Sequence, residues 1–408
     1  MLGVSGSIAA FKAVALASKL AQAGALVDVA LTRGGASLIQ PLSFQAITHR
    51  PVYLDTFELP EDASIGHVTV GRQAELVIVA PATAHTIAKL ALGLADDFLT
   101  TSVLASTAPL LIAPAMDADM YEQPTVQQNL ERLRERGAVI LEPSEGHLAS
   151  GLRGRGRLAE PDEIAEAARV LLGRDGALAG WRVLVSAGGT QEPLDPVRFV
   201  GNRSSGKMGY AIAEMARDRG AEVTLISGPS VLASLYAVRT IRVRTALEMH
   251  DAVMAELPSH DALIMSAAVA DFRPDSAQVQ KIKKSDSALV VHLVPNPDIL
   301  RATIGVAGRS GRPIRVGFAA ESQELLTNAR AKLEAKDLDL VVANDITVAG
   351  SGFESDSNRV TLLGRSGAEE LPLMPKWAVA NVILDRIATL ARAGGQPERT
   401  PQRSDDGA

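Results

Sequence analysis

The chain has 408 residues, a formal net charge of −6 and no cysteine. That length suits two domains of ordinary size. The acidic balance argues against a general nucleic-acid binder, and the cysteine count excludes disulfides, cysteine zinc sites, iron–sulfur clusters and thiol nucleophiles. Lack of cysteine fits a reducing, cytoplasmic setting. No basic stretch leads into an apolar segment at the start, and no run reaches the roughly 18 apolar residues of a membrane helix. Only 3% of residues are aromatic, so small aliphatics must build the core, as in parallel sheets covered on both faces.

In chain order, apolar runs at 2–4, 27–32, 76–80, 110–113 and 139–141 read as strands, with helical spacing at 8–23, 83–92 and 125–136. Strands alternating with helices imply βαβ units and a parallel sheet. Residues 142–157 break the rhythm, being rich in Gly and Arg with no apolar period. A helix over 161–172 leads to the best linker candidate, 174–180. A second series then begins at Trp181. Strands are expected at 183–186, 223–227, 262–266, 289–294, 315–318 and 338–343, and helices at 208–219, 325–335 and 378–391. The tail from 394 to 408 is polar and is expected to be disordered. The predicted fold is therefore α/β, with two doubly wound parallel-sheet domains over 1–174 and 180–393. The first is Rossmann-like or flavodoxin-like, and the second is Rossmann-like.

Candidate phosphate contacts open the chain. Ser5, Gly6 and Ser7 join the first strand to the first helix, where backbone amides at a helix start can approach an anion. Such a turn also occurs for steric reasons alone. The spacing is not GxGxxG, so a dinucleotide-dependent reductase is disfavoured. Thr32 ends the second strand, then come Pro41-Leu42-Ser43, Gly66-His67-Val68, Ala80-Pro81-Ala82-Thr83-Ala84 and Pro114-Ala115-Met116-Asp117-Ala118-Asp119-Met120. This ordered set resembles the flavoprotein family of cysteine decarboxylases across nearly all of 1–170. The resemblance implies FMN at the carboxyl ends of the strands, its phosphate near Ser5, Gly6 and Ser7, with Thr32, Ser43 and Thr83 nearby. It also implies oxidation of a substrate thiol before carbon dioxide leaves. His67 matches the family's catalytic histidine, and an imidazole titrates near neutral pH. By itself, His67 would read as a packed or exposed histidine. Two positions depart from the pattern: Asp117 stands where the family has Asn, and Ser150 stands where its lid has a proton-donating Cys. Either another group donates that proton, such as His147 or a protonated Asp117, or this half is slow or inactive.

The second half carries Ser186-Ala187-Gly188-Gly189-Thr190 after a strand and Asn202-Arg203-Ser204-Ser205-Gly206-Lys207-Met208-Gly209 before a helix. Hydroxyls, glycines and a basic residue at a helix start suit an anion, although the GxxxxGK[ST] spacing fails. The run 195–209 closely resembles the bacterial phosphopantothenate–cysteine ligase. Further matches follow at 267–272, 281–284, 296–299, 317–321 and 343–345, so the resemblance covers about 180–392. With both halves in this order, the chain resembles the fused bifunctional family of coenzyme A biosynthesis. The resemblance implies substrates 4′-phosphopantothenate, cysteine and CTP, an acyl-cytidylate intermediate, and magnesium with no dedicated ligands named. It assigns Lys281 as catalytic lysine and Asn202 to hold the acyl intermediate. Asp271, Lys281, Pro297, Asp298, Ile299, Phe318, Lys332 and Lys336 are assigned to CTP. Lys332 and Lys336 lie four apart, which suits a phosphate grip and equally an ordinary wet helix face. The family implies a homo-oligomer, with trimer contacts from the flavin half and dimer contacts from the ligase half closing a dodecamer. An alternative reading keeps only the ligase active, with the first half a degenerate FMN-binding scaffold. A first half acting on another cysteine substrate, or holding FMN as a prenyl carrier, is opposed by the attached ligase.

Overall fold

A computed structural model describes residues 1–56, 66–284, 288–321, 325–345 and 355–393. The expected disordered tail at 394–408 lies outside the described residues. The chain divides into two compact units, Met1–Leu172 and Gly173–Ala408.

The first unit runs β1 (Leu2–Val4), α1 (Ala10–Gln22), β2 (Val29–Leu31), α2 (Arg33–Leu38), α3 (Pro41–Thr48), β3 (Val52–Tyr53), α4 (Gly66–Gln73), β4 (Val77–Ala82), α5 (Ala84–Leu92), α6 (Phe98–Ala105), β5 (Leu110–Pro114), α7 (Ala118–Tyr121), α8 (Pro124–Glu135), β6 (Val139–Ile140), β7 (Ser144–His147), β8 (Arg153–Arg157) and α9 (Pro161–Gly173). Its six-stranded sheet has the order β3-β2-β1-β4-β5-β6, with every pairing parallel. All six residues of β4 are buried, as a central strand with helices on both faces requires. Val77, Val79 and Ala82 of β4 pack with Ile87 and Leu90 of α5, Phe98 and Leu99 of α6, and Leu130 and Leu133 of α8.

The second unit runs β9 (Arg182–Ala187), β10 (Gln191–Pro193), β11 (Phe199–Gly201), α10 (Lys207–Arg217), β12 (Glu222–Ser227), β13 (Arg239–Arg242), α11 (Ala246–Glu256), β14 (Ala262–Met265), β15 (Phe272–Pro274), β16 (Leu293–Pro295), α12 (Ile299–Ala302), β17 (Ile314–Glu321), α13 (Leu325–Ala335), β18 (Leu340–Asp345), β19 (Ser357–Asn358), β20 (Val360–Gly364), β21 (Gly367–Glu370), β22 (Met374–Pro375) and α14 (Lys376–Ala393). Its sheet has eight strands, β13-β12-β9-β14-β17-β18-β20-β21. The strand period of two divides the core cleanly. Val183, Val185, Ile264, Val316 and Val342 face α10 and α14. Their neighbours Leu184, Leu263, Met265 and Val341 face α11 and α13.

Two expectations need correction. The second sheet is mixed, because β20 pairs antiparallel with β18 and β21 antiparallel with β20. Only Arg365 and Ser366 join Gly364 to Gly367, and a two-residue turn can connect only antiparallel strands. The strand expected at 289–294 is reduced to β16, which pairs antiparallel with β15 outside the main sheet. Leu289 and Val290 are exposed, so their apolar character does not mark a core strand.

Candidate functional sites at the two sheet crossovers

In the first sheet the connection order reverses between β1 and β4, the point at which open α/β sheets receive ligands beyond their carboxyl ends. Ser5 spans that point. Its Oγ donates to Pro81 O at 2.7 Å and accepts from Thr83 N at 2.9 Å. The buried Ser5 hydroxyl is thus spent on fixing the two strand ends. Gly6 lies so close to the next loop that a Cβ would stand 2.9 Å from Gly34 Cα. Thr32 caps α2, accepting from Gly35 N at 3.1 Å, and Thr83 caps α5, accepting from Thr86 N at 3.3 Å. Ser7 Oγ accepts from Ala9 N at 3.3 Å in the same turn. Ser43 is exposed on the first turn of α3. Helix starts at the ends of β1, β2 and β4 therefore converge, which suits a phosphate.

His67 sits in the first turn of α4, its ring edge-on to Phe98 at 6.4 Å between centroids. Phe98 in turn stacks on Tyr53 at 4.5 Å. Among the described residues, His67 Nδ1 is buried and meets no hydrogen-bond partner. A buried imidazole nitrogen left open inside the protein is one that a ligand can complete, so the residues present fit a bound flavin.

The Gly/Arg stretch that lacked a period is a β-hairpin, β7 paired antiparallel with β8. Its pattern is a strand period written in glycine. A Cβ on Gly154 would stand 2.7 Å from Ala118 Cβ, and one on Gly156 would stand 2.2 Å from Met116 O. Met116 N also donates to Gly156 O at 3.0 Å. The hairpin thus lies flat on residues 116–118, with the glycines inward and the arginines exposed. Its tip carries Ser150, whose Oγ donates to Asp117 Oδ2. Asp117 also caps α7 by accepting from Asp119 N at 3.2 Å. The structure therefore joins the two residues that depart from the family pattern. Beside them, Tyr121 donates to Glu142 at 2.6 Å, and burial together with that carboxylate pushes its phenol up to about 12.

In the second unit the same reversal falls between β9 and β14. Ser186 Oγ accepts from Ala267 N at 3.1 Å, and Thr190 Oγ1 accepts from Ala270 N at 2.9 Å. A cavity of about 490 Å³ opens there, lined by the 202–208 segment, residues 266–269, Phe318, Ala319, Lys332, Asn344, Asn358 and Lys376. Asn202 Nδ2 donates to Val269 O at 3.0 Å. Lys332 Nζ donates to Phe318 O at 2.5 Å.

The structure brings Asn202, Phe318 and Lys332 together on this cavity. Apart from Lys281, the other named residues form a neighbouring group. Lys336 pairs with Asp298 at 3.0 Å, and Asp298 caps α12, with Pro297 before it and Ile299 buried after it. Asp271 O accepts from Asn296 N at 2.8 Å. Lys281 is exposed and is not among the cavity-lining residues. Its segment is tied down through Ile282, whose N donates to Asp195 Oδ2 at 3.1 Å and whose O accepts from Arg198 at 3.2 Å. Burial would raise the Asp195 carboxyl. The N–H groups of Val197, Arg198 and Ile282, with the Arg198 guanidinium, outweigh it and hold the group below its ordinary value.

Sequence reading gave no role to Lys376, Asn344 or Asn358, which all line the cavity. Asn344 lay inside a quoted match. Lys376 follows Pro375 at an ordinary helix start and carries no local signal. Among the described residues no cluster of three or more His, Asp or Glu side chains could hold a metal, and no helix is long and apolar enough to cross a membrane.

Comparison with known proteins agrees with this division. The family profile described as Flavoprotein matches residues 1–172, and that described as DNA/pantothenate metabolism flavoprotein C-terminal domain matches 178–390. The Bacillus subtilis coenzyme A biosynthesis bifunctional protein CoaBC is 45% identical over 400 residues, 97% of this chain and 98% of its own. The protein of that name from Vibrio cholerae is 44% identical over 395 residues, 95% of this chain and 97% of its own. A solved C-terminal domain of a CoaBC protein is 39% identical, covering 53% of this chain and 99% of its own, with a TM-score of 0.45. The similarity to the bifunctional proteins runs through both units, and the chain belongs to the family of coenzyme A biosynthesis bifunctional proteins.

Proposed function

We propose that the second unit condenses 4′-phosphopantothenate with cysteine using CTP, and that the first unit, holding FMN, decarboxylates the product to 4′-phosphopantetheine. The observation that carries this reading is the cavity at the β9/β14 crossover, which gathers Asn202, Phe318 and Lys332 from three distant stretches. The chain is a decarboxylase and ligase of coenzyme A biosynthesis, as family membership across both halves requires. A ligase-only chain is not favoured, because 44% identity extends over 95% of the residues.

In the ligase step the pantothenate carboxylate attacks the α-phosphorus of CTP and pyrophosphate leaves. The amine of cysteine then attacks the acyl carbon and CMP leaves. Negative charge builds on the α-phosphate in both steps, so fixed cations lower both barriers. Lys332 and Lys281 supply them, with Asp271, Pro297, Asp298, Ile299 and Lys336 completing the nucleotide contacts. Asn202 Nδ2 is committed to Val269 O, which leaves Oδ1 to receive a donor from the acyl intermediate. Magnesium enters with the triphosphate, the usual mode for an ion that keeps its waters.

In the decarboxylase step the turn at Ser5–Ser7 and the capped starts of α2 and α5 hold the FMN phosphate. FMN supplies a reversible two-electron oxidation of the thiol-bearing carbon when bound. His67 takes and returns the proton that moves with it. The hairpin covers the 116–118 segment and excludes water. The reading includes a cytoplasmic setting and a homo-oligomer, the latter supported by exposed Ile8 and Phe11 in the first unit and Phe199, Phe272 and Leu293 in the second.

The test is a coupled assay with 4′-phosphopantothenate, cysteine, CTP and magnesium, products resolved by mass. Formation of 4′-phosphopantetheine is the expected result. Arrest at phosphopantothenoylcysteine would leave the ligase reading and refute the decarboxylase. No condensation at all would sink the ligase assignment.

A further inference from the structure

Lys281 stands in a stretch that builds neither helix nor strand. Among the described residues, nothing between the end of β15 at Pro274 and the start of β16 at Leu293 joins a regular element. A backbone without ladder bonds takes its position from the groups that satisfy its N–H and C=O. For this stretch the turn between β10 and β11 supplies such groups. Gln278 N donates to Leu194 O at 2.9 Å, and Asp195 and Arg198 hold the peptide groups of Ile282.

Asp195 is the unusual member of that turn, a carboxylate whose side chain is fully buried. Burying a charge is unfavourable unless donors surround it. Its Oδ1 accepts from Val197 N and Arg198 N, each at 2.8 Å, and so builds the turn itself. Its Oδ2 reaches further. It accepts from Ile282 N at 3.1 Å, 87 positions later in the chain, and from Arg198 Nη1 at 3.2 Å. The same Nη1 donates to Ile282 O at 3.2 Å. Ile282 is thereby gripped at both its N–H and its C=O. Those groups belong to successive planar peptide units, and the first plane contains the Cα of Lys281. Fixing that plane fixes the stem of the lysine, while its side chain stays exposed.

We infer that Asp195 is a positioning residue for ligation: Oδ1 builds the β10–β11 turn, and Oδ2 holds the Ile282 peptide so that Lys281 is presented to the α-phosphate of the nucleotide. This placement rests on the ligase reading, in which Lys281 supplies a fixed cation. A cation stabilises a developing charge more strongly the nearer it stands, and one placed beforehand costs no reorganisation during the reaction. On an unclasped segment the lysine would spread over many positions, and the loss would fall on turnover.

Asp195→Asn separates the two duties of the carboxylate. The amide oxygen can still accept from Val197 N and Arg198 N, as asparagine does in such turns, but the amide nitrogen cannot accept from Ile282 N. Ligation by the full chain is measured with each substrate varied in turn, and amide exchange is followed on the same protein. The kcat for phosphopantothenoylcysteine should fall about tenfold or more, since a misplacement of about 1 Å can cost about 100-fold. The KM values of 4′-phosphopantothenate and cysteine should stay within about twofold of wild type. Exchange should quicken over 278–284 and stay unchanged over 191–201. A kcat within about twofold of wild type would overturn the inference, because Lys281 would not need the clasp. Exchange quickened equally over 191–201 would overturn it too, because Asp195 would then only fold the turn. Wild-type chain that makes no phosphopantothenoylcysteine refutes the ligase reading instead, and the clasp then stands only if Asp195→Asn quickens exchange over 278–284.

Discussion

His260 is 3% exposed and held on both ring nitrogens, with Nδ1 2.7 Å from Glu256 O and Nε2 3.0 Å from Thr224 Oγ1. Burial lowers its pKa below the ordinary value, outweighing the opposing pull of Glu256. The unfolded chain therefore binds this proton more readily than the folded one. Its contribution to stability is complete above the ordinary histidine value and is lost as pH falls below it. Urea midpoints at about pH 7.5 and about pH 5.5 should fall more in wild type than in His260→Gln; equal falls would show the group is not the titrating one. At this scale the sequence disclosed residues whose neighbours in the chain are distinctive. His67 follows Gly66 at a helix start, and Asn202 precedes a run of hydroxyls and glycine. It could not disclose Lys376, which lines one cavity with Lys207, 169 positions earlier in the chain. Nor could it disclose the bond between Ser150 and Asp117.

The hairpin of β7 and β8 shows why one element was illegible. Apolar periodicity is the usual strand signal, and here the inward positions are Gly154 and Gly156, with arginine between them. Nothing apolar alternates because the strand lies on backbone and has no room for side chains. Gly156→Ala should therefore cost about 1–3 kcal/mol of local stability through overpacking. Its Cβ would meet Met116 O, a backbone atom that cannot swing away. The expected outcome is slower decarboxylation with unchanged ligation, and faster amide exchange over 144–157. Unchanged exchange there would remove the hairpin's close packing as the cause. The antiparallel pair β20 and β21 was missed for a different reason: the turn Arg365-Ser366 lies between short strands whose Val360, Leu362 and Leu363 resemble any buried run.

Across the molecule, both sheets place three strands on one side of a central crossover, with three on the other side in the first sheet and five in the second, and each candidate site lies at its own crossover. The alternation of strands and helices made that architecture readable, since parallel strands need helical connections. The sites are built from separate elements in separate units, so their chemistry should be separable. His67→Asn should abolish decarboxylation and spare ligation, while Lys281→Gln should do the reverse, each read by product mass. Loss of both activities in either variant would show that the units depend on one another. The contact at the tip of the β7–β8 hairpin has a further consequence. The proposed substrate carries a thiol, and the groups set there are the Ser150 hydroxyl and the Asp117 carboxylate. Thiol–disulfide exchange needs a second sulfur, and the chain has no cysteine to provide one. A hydroxyl and a carboxylate cannot be captured in a mixed disulfide with substrate or product, and they do not climb the sulfenic–sulfinic ladder that retires a reactive cysteine. This site is closed to thiol redox inactivation by its composition.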